Sequence, residues 1–127
     1  MARRSRSVTS TVAALRSFTF DLPGAVEDHP WDSAPVAKVN KKIFVFFGTD
    51  QTPGMSVKLP ESAEAARSLD CVTPTGYGLG RSGWVSVDLT GADCPSDDVL
   101  VDWVEESYRA VAPKKLVKEL DGRVADT

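Results

Sequence analysis

Hydrophobic and polar positions follow two rhythms along the chain. Val8, Val12, Leu15 and Phe18 or Phe20 recur every three to four residues, which predicts a helix over about residues 9–21 with Thr9 or Ser10 at its cap. Leu22-Pro23-Gly24 ends it, because a residue before proline avoids the helical region and Gly24 permits a sharp turn. Residues 27–35 read as a polar, proline-bearing loop around Trp31. Val36–Val39 and Lys42–Phe47 read as strands joined by Asn40-Lys41, with Ile43, Val45 and Phe47 on one face and Lys42, Phe44 and Phe46 on the other. Both faces of that second strand are apolar, as in a central strand. Met55–Leu59 is a third strand. Glu61–Leu69 is rich in helix formers behind Pro60. Trp84–Leu89 alternates cleanly, with Val85, Val87 and Leu89 opposite Trp84, Ser86 and Asp88. Ser96 caps a helix to about Val111, whose inner stripe is Val99, Leu100, Trp103, Val104, Ser107 and Val111. Lys114–Leu120 is a short last helix after Pro113. Hairpin-length connections and the absence of βαβ units predict an α+β domain of two layers, an antiparallel sheet with helices packed on it.

Length and composition narrow the function. With 127 residues, 42% hydrophobic and 26% charged, the chain is one ordinary globular domain. Its expected layout is a flexible basic tail over residues 1–8, a single domain over 9–120 and a C-terminal tail over 121–127. No run of 18 apolar residues is present, so no membrane span is expected. Val8–Leu15 holds three hydroxyl residues and is closed by Arg16, which is not the pattern of a secretory signal, and a cytoplasmic location is expected. Net charge is −3, yet residues 1–20 carry Arg3, Arg4, Arg6 and Arg16 and no acid. Between Asp88 and Glu106 the acids run without one base.

Little catalytic chemistry is available. His29 is the sole histidine, and Cys71 and Cys94 stand far apart in sequence. A zinc site needs about four nitrogen or sulfur ligands. No metal, cofactor, catalytic residue or disulfide is therefore expected, and the cysteines read as reduced thiols. Gly78-Leu79-Gly80-Arg81-Ser82-Gly83 fits a dinucleotide-binding expression, but it leads into a strand instead of a helix N-terminus, so the phosphate-cradling mechanism fails.

Several phrases, in order, resemble the MmcQ/YjbR family of small bacterial proteins: Leu22-Pro23-Gly24-Ala25-Val26-Glu27-Asp28 with Pro30-Trp31; Lys38-Val39-x-x-Lys42-Ile43-Phe44; Val57-Lys58-Leu59; Gly83-Trp84-Val85; and Pro113-Lys114-Lys115-Leu116-Val117. The resemblance spans about residues 10–120. It implies an α-β(3)-α-β(2)-α order, similar to secretion chaperones and frataxin-like proteins, with a short fourth strand near Tyr77–Leu79. It also implies DNA binding and no enzyme chemistry. The family's Asn-Lys-x-His-Trp motif stands here as Gly80-Arg81-Ser82-Gly83-Trp84, so no role of that histidine carries over. The usual Gly-Gly of the hairpin is Asn40-Lys41.

Candidate nucleic-acid-binding residues are Lys38, Lys42, Lys58, Arg81 and Trp84. Arg81 suits bidentate phosphate contacts, and Trp84 either stacks on bases or packs on the fold. Lys38, Lys41, Lys42 and Lys58 come from adjacent strands, with Lys42 and Lys58 expected on one sheet face. Trp31 and Tyr77 are candidates for a groove beside Trp84. The expected function is a non-enzymatic module that binds DNA or RNA weakly through backbone phosphates. The alternative is a protein- or small-ligand-binding module using the groove near Trp31 and Trp84.

Overall fold

The computed structural model describes residues 8–29, 35–48, 53–75 and 83–125. Its elements are α1 (Val8–Phe20), β1 (Ala25–Asp28), β2 (Val36–Val39), β3 (Lys42–Phe47), β4 (Gly54–Lys58), α2 (Ala63–Ala66), β5 (Val72–Pro74), β6 (Trp84–Asp88), α3 (Asp97–Val111) and α4 (Lys114–Ala125). The strands form one sheet in the order β1-β2-β3-β4-β6-β5, antiparallel throughout. The expected α+β class holds, with two strands added and α2 confined to Ala63–Ala66. Ala25–Asp28, which reads as turn and loop, pairs with β2 as an edge strand. The other added strand is Val72–Pro74, which pairs with β6 in a stretch where the residue pattern predicts no element; Tyr77–Leu79 lies outside the described residues. Neither strand shows in the pattern because each is short, β1 carries two acids, and β5 ends on proline. The last helix runs past Leu120 into the expected tail.

Helices α1 and α3 cover one face. Val45, Val57 and Val85 stand in register across β3, β4 and β6 and are fully buried beneath them, with Phe47, Met55 and Val87 one rung further along. The α1 ring Phe20 meets Phe47 at 5.9 Å between centroids. In α3 the buried stripe is Leu100, Trp103, Val104, Ser107 and Tyr108. Val99 is 38% exposed instead, and Tyr108 takes its share of the core. Ser96 occupies the N-cap position, but its hydroxyl makes no capping bond.

One irregularity reorganises the sheet. Ala37 pairs with Val45 and Lys38 with Ile43, so Phe44 has no partner on β2. This β-bulge puts Phe44 and Val45 both into the core, where Phe44 packs edge-on against Tyr108 at 5.4 Å. The extra residue reverses the alternation for everything before it. Lys42 therefore pairs with the buried Val39 and sits on the helix side of the sheet, not with Phe46 as simple alternation predicts.

The bulge also interrupts the β3–β4 ladder, and α3 repairs it. The Ser107 hydroxyl accepts the Lys58 backbone N–H at 2.9 Å and donates to the Phe44 carbonyl at 2.5 Å. Two backbone groups that the bulge would leave unpaired are satisfied by one buried side chain. Tyr108 adds a second tie: its hydroxyl donates to the Pro23 carbonyl at 2.6 Å, and its burial pushes the phenol above its ordinary range.

Candidate nucleic-acid interface

The expected surface on one sheet face does not assemble. Lys38 reaches Asp28 at 2.6 Å, and this ammonium holds the Asp28 carboxyl below its usual range. Lys42 lies on the opposite side of the sheet from Lys58, for the reason given above. Trp84 shares its face with Ser86 and is paired with Lys58, but it is only 7% exposed and packs edge-on against Phe46 at 5.4 Å. It has no open ring face for a base. Beside it, the face is a run of hydroxyls, Ser56 to Ser86 at 2.8 Å and Ser86 to Thr75 at 3.0 Å. Arg81, Trp31 and Tyr77 lie outside the described residues.

The fold gathers a different set of lysines, at one end of the molecule. Turn residues Asn40 and Lys41 join β2 to β3, both with positive φ, at 51° and 69°. The residue before them, Val39, pairs with Ala25 at the start of β1. The preceding Gly24 lies so close under Leu116 of α4 that a Cβ there would come within 2.8 Å of its Cδ1. Arg123 pins the same helix by donating to the Asp21 carbonyl at 2.7 Å. The start of α4 thus stands beside the hairpin tip, and Lys41, Lys42, Lys114, Lys115 and Lys118 are exposed there. None of the five makes an ion pair among the described residues. Of the acids on α3 and α4, Glu105 and Asp121 both hold Arg109, at 3.0 and 2.8 Å, and Glu119 is exposed beside Lys118 without an ion pair to it. Glu106 accepts the backbone N–H groups of Glu61 and Ser62 and the Ser62 hydroxyl ahead of α2.

Two of these placements cost the fold stability. Lys41 occupies left-handed backbone, which glycine adopts more easily. The first turn of α4 carries Lys114 and Lys115 and no acid, against the positive end of the helix dipole. By contrast α3 is arranged in the favourable sense, with Asp97 and Asp98 in its first turn and Arg109 in its last. Lys41 is among the strand lysines that the sequence picks out; Lys114, Lys115 and Lys118 are not. The available signal was the inverted charge order of Lys114-Lys115-Leu116-Val117-Lys118.

A family model described as YjbR matches residues 20–110, from the end of α1 almost to the end of α3. The chain belongs to the YjbR family. No curated protein matches it. The family match covers the sheet, its bulge and the Ser107 bridge, while the lysines of α4 lie beyond it. No helix among the described residues is long and apolar enough to cross a membrane.

Proposed function

We propose that this YjbR-family protein is a non-enzymatic module that binds nucleic acid through backbone phosphates, with the lysine end as its contact surface. The observation that supports this reading is the set of five exposed lysines, Lys41, Lys42, Lys114, Lys115 and Lys118, with no ion-pair partner among the described residues. Ammonium groups on flexible stems make point contacts to phosphate and read no base sequence. The positive end of α4 favours the same anion. With Trp84 packed inside, that ring adds no stacking term in favour of single strands.

The test is a salt titration of binding to random-sequence duplex and single-stranded DNA. With about four phosphates neutralised, log K should fall against log salt with a slope of about −3.6 on duplex DNA, at about −0.9 per contact. Replacing Lys114 and Lys115 with Ala should flatten the slope by about two units. Replacing Lys38, which is held by Asp28, should leave it unchanged. Absence of binding to either form at low salt and micromolar protein overturns the reading, as does a slope indifferent to Lys114 and Lys115.

A further inference from the structure

Far from the lysines, the turn between β6 and α3 folds over the start of β5 and brings the two cysteines of the chain together. The Asp88 N–H donates to the Cys71 carbonyl at 2.8 Å. The Asp93 carboxylate accepts the N–H groups of Asp70 at 2.6 Å and Cys71 at 3.1 Å. Gly91 passes so close over Cys71 that a Cβ on it would lie 2.6 Å from the Cys71 Cβ, so only glycine fits the turn there. The Cys94 N–H then bonds the Gly91 carbonyl at 3.1 Å, so Cys94 sits on the same turn whose Gly91 and Asp93 contact Cys71. Access is two-sided. Cys94 is half-buried and lines a cavity of about 580 Å³ with Thr11, Leu89 and Ser96, while Cys71 lines a separate groove with Thr73 and Ser86.

We propose that Cys71 and Cys94 are a redox-convertible pair that closes to an intramolecular disulfide when a peroxide enters the cavity beside Cys94. The Cys94 thiolate attacks the peroxide O–O bond, giving a sulfenic acid and hydroxide, which takes the thiol's proton and leaves as water. The Cys71 sulfur then attacks the sulfenic sulfur; the S–S bond forms, and the sulfenic hydroxyl leaves with the Cys71 proton as a second water. Both sulfurs are oxidised by one electron each and the peroxide is reduced by two. Cys94 is the attacking thiol because it is the more exposed. Cys71, the more deeply buried of the two, is left to the second step; burial, followed by the Asp93 carboxylate, pushes its thiol up to about 12, so that step too should be slow at neutral pH. Burial and the acids Asp88, Asp93 and Asp97 raise the Cys94 thiol as well, so closure should be slow at neutral pH and faster in mild alkali. The bond would tie the sheet edge to the start of α3 and leave the lysine end untouched.

The full-length protein, reduced and then freed of reductant, is treated with hydrogen peroxide under native conditions and followed by intact mass and peptide mapping. The expected product is a monomer two hydrogens lighter, with a Cys71–Cys94 cross-linked peptide and both thiols restored by a dithiol reductant. Cys71→Ser should stop instead at a sulfenic acid on Cys94 that a dimedone probe traps. Closure should not accelerate in sub-denaturing urea. A product that gains oxygen on both cysteines, a disulfide-linked dimer, or closure only when urea unfolds the chain overturns the proposal. DNA binding by the oxidised and reduced forms should be equal, so this result and the one above stand or fall separately.

Discussion

Where the β6–α3 turn closes over β5, acids are bound to the protein itself: Asp93 holds two backbone N–H groups, Asp88 holds the N–H and hydroxyl of Thr90, and Asp97 accepts from Thr11. The Thr90 contacts hold the Asp88 carboxyl below its usual range. Where β2 turns into β3 and α4 begins, the lysines do nothing of the kind. Lys41, Lys42, Lys114, Lys115 and Lys118 have no ion-pair partner among the described residues, and the structural ties at that end come from other groups, the Ser107 and Tyr108 hydroxyls and the guanidinium groups of Arg109 and Arg123. A charge that satisfies a backbone donor is explained by folding. A charge that occupies strained backbone or opposes a helix dipole is not, and it directs attention to something outside the chain. The comparison therefore separates acids that hold the fold from lysines that the fold merely carries, and it can be broken by substitution at either end.

The largest effect should come from an uncharged residue. Ser107→Val removes the bridge between the Lys58 N–H and the Phe44 carbonyl and leaves both groups unpaired beneath α3. At roughly 1–3 kcal/mol for each unsatisfied buried group, the loss should be about 2–6 kcal/mol in urea unfolding. Ser107→Thr, which keeps the hydroxyl, should recover most of it. A Ser107→Val protein as stable as the parent would mean that the bulge is satisfied by some other route.

The bulge marks the limit of what the amino-acid pattern could convey. The positions of β2, β3, β4 and β6, the antiparallel α+β class and the buried Val45, Val85, Val87 and Trp103 follow from periodicity, and the structure places these as expected, to within a residue at the strand ends. Periodicity assumes an unbroken alternation, and one unpaired residue, Phe44, breaks it. Lys42 changes sides as a result, and the predicted lysine face with it. Trp84 was open to two readings because alternation puts it on the sheet face away from the helices, and only the placement of Phe46 shows that this side of the ring is filled. The α4 lysines were passed over for another reason: their proximity to Lys41 depends on β1, a strand too short and too acidic to be seen.

At the acidic end, Asp93→Ala should be the next largest change. It strips two charge-assisted bonds from the Asp70 and Cys71 amides, both near the surface where water can replace part of the loss. A destabilisation of about 1–2 kcal/mol is expected, measured as a fall in the urea midpoint at unchanged m-value. Asp93→Asn should fall in between, because its amide keeps one acceptor oxygen and loses the charge. If Asp93→Ala were neutral, the acids of this end would be as dispensable to folding as the lysines of the other, and the contrast between the two ends would fail.

The smallest effects on stability should carry the opposite sign, and they sharpen the comparison most. Lys41→Gly relieves the left-handed backbone at φ 69° and should stabilise by about 0.5–1 kcal/mol, since glycine visits that region at little cost. Lys114→Glu places an acid in the first turn of α4, where the dipole favours it, and should add about 0.3–1 kcal/mol at low salt, fading as salt screens the interaction. Each of these more stable proteins should bind DNA less well. Lys41→Gly should lose one unit of salt slope, and Lys114→Glu at least one, because it adds repulsion to the lost contact. Gains in the thermal midpoint with losses in affinity, at the same residues, are the signature of charges kept for a partner at the fold's expense. Solvated lysines without a partner would leave the binding slope unmoved, and lysines that support the fold would lower the midpoint when replaced. The Lys41 and Lys114 variants distinguish those outcomes with two measurements on the same protein.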